Sequence, residues 1–131
     1  MPSAKDNPVD VYMATLDHPH KADIEWARKL ILGVDSRISE GIKWNAPSFR
    51  LDDDFATFHL RKADNIQIIL HTGAKKRARP LSMTLEAPEG MVEWRGSDRC
   101  VVSLGSGKKA RACGPTLKKL IAGWIGQLSD A

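Results

Sequence analysis

Two histidines, His59 and His71, fall at odd-numbered positions of two neighbouring strand-like runs. Two imidazoles on one sheet face can ligate a transition metal or exchange protons near neutrality. They can equally be half-buried polar residues bonded to their neighbours. Lys43, Trp44, Asn45, Ser48 and Gln67 join them, a few polar groups around the apolar floor of Phe55 and Ile69. That mixture suits a small-ligand pocket in which Lys43 supplies positive charge. A metal set would rest on His59 and His71 alone.

Other patterns carry less. Cys100 and Cys113 stand without a second cysteine pair, so no zinc-ribbon or redox motif forms, and both fit reduced thiols in a cytosol. Gly105-Ser106-Gly107-Lys108 lacks the leading glycine of a phosphate loop, whose place is taken by Val102. No Gly-x-Ser-x-Gly elbow occurs, no nucleophile is matched to a base, and a non-enzymatic role is expected. Asp52, Asp53 and Asp54 diverge around a strand turn and read as solvated. His18 and His20 flank Pro19 at a helix boundary and read as exposed.

The elements that must position these groups follow from periodicity. Val9, Tyr12, Met13 and Leu16 share one helical face, and Asn7-Pro8 supplies its start. Ile24, Ala27, Leu30, Ile31 and Val34 define a second helix. After Ser36 the period drops to two: Ile42 and Trp44 predict a strand that Pro47 bends or confines to an edge. Phe55–Arg61 and Ile66–His71 form a hairpin whose even positions, Ala56, Phe58, Leu60, Ile66, Ile68 and Leu70, are all apolar and hence a core face. Ser82–Glu86 could add a short strand and Arg99–Leu104 another. A last helix carries Leu117, Leu120, Ile121, Trp124, Ile125 and Leu128. Helices, then strands, then a helix predict an α+β domain: a mostly antiparallel sheet with two N-terminal helices and a C-terminal helix on one face.

Composition agrees. The 131 residues, with 42% hydrophobic and 27% charged, suit one domain with a flexible tail at 1–7, and exclude disordered, collagenous and disulfide-framework classes. No apolar run reaches membrane length and no secretory leader opens the chain. The net charge of +4 is uneven, because thirteen bases and six acids lie beyond residue 60. The bases bunch at Lys75–Arg79 and Lys108–Lys119, but the first run has no interleaved aromatic residues and no nucleic-acid motif beside it, and reads as a solvated loop and not as a nucleic-acid track.

The run Glu40-Gly41-Ile42-Lys43-Trp44-Asn45-Ala46-Pro47-Ser48-Phe49 resembles the signature of the YdhG-like family, small bacterial domains mostly of unknown function. Val11-Tyr12, Arg28–Leu32 and Phe55-Ala56-Thr57 extend the resemblance over residues 9–128. It implies a compact cytoplasmic α+β domain without an established enzyme activity. The residues themselves point to a binding domain for a small or anionic ligand or a protein partner, its site the mixed face between the Trp44–Phe49 bend and the hairpin. Some relatives are described as frataxin-like iron chaperones, so the resemblance also implies iron handling as an alternative. Frataxin-like handling leans on an acidic surface, and this chain is net basic with one short acid cluster.

Overall fold

The computed structural model describes residues 8–51, 53–62, 64–72 and 83–129. Helices α1 (Pro8–Thr15) and α2 (Lys21–Leu32) lead into five strands that follow one another along the chain: β1 (Ser39–Lys43), β2 (Ala46–Arg50), β3 (Asp54–His59), β4 (Ile66–Leu70) and β5 (Val92–Trp94). Strand β6 (Cys100–Gly105) and helices α3 (Gly107–Ala112) and α4 (Gly114–Ser129) complete the order. All pairings are antiparallel, in the order β1-β2-β3-β4-β6-β5. This is an α+β fold. None of its described helices is long and apolar enough to cross a membrane.

The sheet's two faces follow from parity. Phe49, Ala56, Leu70 and Cys100 lie opposite one another across four strands, as do Phe58, Ile68 and Val102 across three. All seven are buried and belong to one core cluster with Ile24 and Ile31 of α2 and Leu117, Ile121 and Trp124 of α4. Trp124 stacks 6.1 Å from Trp94, which shares a row with Cys100, so α4 covers this face. The even-numbered core of the hairpin is therefore real, except that Leu60 is only half-buried. Cys100 lies beneath the helices, where burial pushes its thiol up to about 12, whereas Cys113 is half-buried.

Four expectations change. Trp44 does not extend the first strand: β1 ends at Lys43, which faces Ala46, and Trp44-Asn45 is the two-residue connection to β2. Pro47 neither breaks the strand nor lies at an edge. It sits inside β2 opposite Ile42, and the β2–β3 ladder starts only at Ser48, so the donor that proline lacks is not needed there. Met83–Glu86 form no strand, and the sheet gains β5 instead. Helix α3 has no apolar stripe and was not foreseen. Asn7 and Lys75–Arg79 lie outside the described residues.

One buried cation ties the first three elements together. Arg28 of α2 reaches Asp10 of α1 at 2.7 Å, Glu25 at 3.0 Å and Glu40 of β1 at 2.9 Å. The Arg28 and Glu40 side chains are each only 9% exposed, so neither charge has water to fall back on. Arg28→Ala strands Glu40 and should lower the unfolding free energy by about 3 kcal/mol. A urea titration reads this as a lower midpoint at unchanged slope.

Candidate functional site

The face of the sheet turned away from the helices carries the odd positions of the hairpin. Ser48 of β2 lies opposite Thr57 of β3, and Thr57 opposite Ile69 of β4. His71 follows β4, its N–H donating to the Phe55 carbonyl at 2.9 Å. Across this face runs a buried polar chain. His71 Nε2 lies 3.1 Å from Thr57 Oγ1, which lies 2.8 Å from Ser48 Oγ. Ser48 Oγ in turn reaches the Ala56 carbonyl at 3.1 Å and Asp54 Oδ1 at 3.2 Å.

The far end sets the direction of the chain. A carbonyl and a carboxylate only accept, so the single Ser48 proton is directed to that end, Thr57 donates to Ser48, and His71 donates to Thr57. Neutral His71 therefore carries its proton on Nε2. Burial first, then the charges of Arg99 and Lys43, depress its pKa to about 4, against a smaller opposing pull from Asp54 and Asp53. Thr57 and Ser48 are 0% and 1% exposed. Neither hydroxyl faces solvent, so this chain fixes the floor of the site and offers no nucleophile to an outside molecule.

Trp44 forms the roof. The two-residue turn holds Trp44 at φ 55° and Asn45 at φ 58°, the paired left-handed torsions of a type I′ hairpin. Asparagine tolerates that region, but a bulky ring there is uncommon and costs about 1–3 kcal/mol. The turn places the indole 5.1 Å from the His71 ring while leaving Trp44 52% exposed. Two cations flank it: Lys43 Nζ lies 5.3 Å and the Arg99 guanidinium 5.7 Å from the ring centroid. Lys43 also meets Asp54 Oδ2 at 3.6 Å.

A cavity of about 540 Å³ opens beside this roof. Trp44, Asn45 and His59 line it together with Tyr12 of α1, Arg61 beyond β3 and Arg99 before β6. No carboxylate is among the described residues of its wall.

The residues singled out in the sequence thus divide into three groups. Ser48 and His71 belong to the buried floor, and Lys43 and Trp44 to the roof. Asn45 and His59 join Trp44 at the cavity. Gln67 is drawn away: its Nε2 donates to Ser103 Oγ of β6 at 3.0 Å. His59 and His71 do occupy one face, but His59 faces Gln67 in the register while His71 lies four residues further along. That is roughly 13 Å of strand, so the two rings do not converge on one ion. Among the described residues no group of three or more His, Cys, Asp or Glu could hold a metal. Tyr12 and Arg99 come from remote segments with no local motif, whereas Arg61 lies two residues beyond His59 in the same run and parity places it on the same face. Thr57 was visible by parity alone, and Asp54 had been read as solvated turn. Lys108, Lys109, Lys118 and Lys119 are exposed on α3 and α4, whereas Arg111 is engaged by Asp23 at 2.8 Å and by the Trp26 ring.

Comparison of the chain with protein-family models, with curated proteins and with solved structures finds no match.

The depressed His71 pKa has a definite sign. Between its ordinary 6.5 and about 4 the unfolded chain binds a proton that the folded protein refuses. The stability tied to neutral His71 is complete above pH 6.5 and is lost as pH falls through that window, to the extent of about 3 kcal/mol. Urea midpoints measured from pH 7 to 4 should fall more shallowly in His71→Asn than in the parent.

Proposed function

We propose that this protein is a non-enzymatic binding module for a small anionic ligand with a flat ring, held at the Trp44 cavity. The observation that carries the reading is the wall itself: Arg61, Arg99 and His59 line one cavity with a half-exposed indole, and no carboxylate is among the described lining residues. Guanidinium groups suit carboxylate and phosphate, and the indole face suits a ring stacked on it. The strained torsion of Trp44 supports the same reading, because a glycine at that position would relieve it. A rigid neutral floor of Ser48, Thr57 and His71 keeps the indole in place without competing for an anion. The string from Glu40 to Phe49 supports a YdhG-like, bacterial reading, and the free thiols of Cys100 and Cys113 support a reducing, cytoplasmic setting.

Isothermal titration with matched pairs tests the reading: benzoate against benzamide, and adenosine monophosphate against adenosine. The anionic member of at least one pair should bind, and its affinity should fall as salt rises. Arg99→Ala and Trp44→Ala should each weaken it by about tenfold. Equal binding of charged and neutral members, or binding unmoved by both substitutions, would sink the proposal.

A further inference from the structure

A second cavity, about 1000 Å³, is lined by none of the residues of the Trp44 cavity. It opens between the β3–β4 connection, the turn at 88–91, and the α3–α4 segment. Its wall is balanced in charge: Lys62 and Lys109 bring ammonium groups, Asp64 and Glu89 bring carboxylates. All four are exposed, and none forms an ion pair with another described residue, so each charge is available to a ligand.

The cavity's geometry is built in. Gly105 adopts φ +78°, and a side chain there would meet Lys109 Cδ at 2.9 Å, so the lysine stem lies across bare backbone. Gly105 N–H donates to Asn65 Oδ1 at 3.0 Å, which fastens the β3–β4 connection to the same turn. That bond brings Asn65 to the turn over which the Lys109 stem lies.

We propose that this cavity binds a small zwitterion of the amino-acid or short-peptide class, its carboxylate toward Lys109 and its ammonium toward Asp64 and Glu89. A simple anion would meet two carboxylates, and a simple cation two ammonium groups. Only a ligand bearing both signs is matched by all four, and its selectivity comes as much from rejecting the other two as from attracting the right one. The volume accommodates a dipeptide. This site is independent of the Trp44 cavity, and either proposal can fail alone.

Amide chemical shifts of the labelled protein, followed during titration with glycylglycine, test the assignment. The expected result is movement of residues 62–65 and 105–116 with the 44–48 turn unmoved. N-acetylglycylglycine and glycylglycinamide, each stripped of one charge, should bind at least about tenfold more weakly. Lys109→Met keeps the stem over Gly105 and removes only the charge. It and Glu89→Gln should each weaken glycylglycine binding while leaving the remaining spectrum in place. Absence of shifts with glycylglycine, or equal binding of either capped dipeptide, overturns the proposal.

Discussion

Two consecutive left-handed residues at the end of β1 set the register on which the candidate site depends. With Lys43 facing Ala46, the turn has no slack, and the pairing of Ile42 with Pro47 and Gly41 with Ser48 follows without choice. One residue more in that loop would slip β1 by one position against β2 and turn Lys43 to the opposite face, because side chains alternate sides along a strand. The pairing of Ser48 with Thr57 belongs to the β2–β3 ladder, so the floor would stand while the roof lost its flanking lysine. The same turn places the Trp44 ring beside His71.

Buried polarity elsewhere obeys a similar rule of closure. Arg28 shares its guanidinium among Asp10, Glu25 and Glu40, and Asp23 is held below the usual carboxylate range chiefly by its bond to Arg111, helped by the Gly107 N–H. These bonds join α1 to α2 to β1, and α2 to α3. The apolar cluster supplies most of the driving force for folding, but apolar contacts are non-directional and leave the helices free to slide. The charged bonds have fixed partners and fixed directions. They determine which part of each helix lies over which strand.

Periodicity made the fold largely legible. Six apolar residues at even positions across Phe55–His71 located the central hairpin, and helical spacing located α1, α2 and α4. What periodicity could not show is instructive. Trp44 continued the alternation begun at Ile42, and no glycine marked the turn, so a strained tryptophan looked like one more strand residue. Helix α3 is two lysines, an arginine, two alanines and a glycine; it has no stripe to read. In the candidate site, parity correctly put His59 and His71 on one face, yet parity says nothing about distance along a strand. Arg99 and Tyr12 reach the cavity only through tertiary packing, from segments far apart in the chain.

Among the described residues the sheet ends laterally at β1 and β5, beyond which no further strand pairs. Strand β5 has three residues, with Glu93 and Arg95 at its end standing well out in solvent. Strand β1 has five and carries Lys43 at its end, while Glu40 is paired with Arg28. A foreign strand docking at either margin would find a short ladder, and at β5 would have to strip water from exposed charges to extend it. The molecule can therefore keep a half-exposed indole on its surface without inviting its own copies to polymerise through their margins.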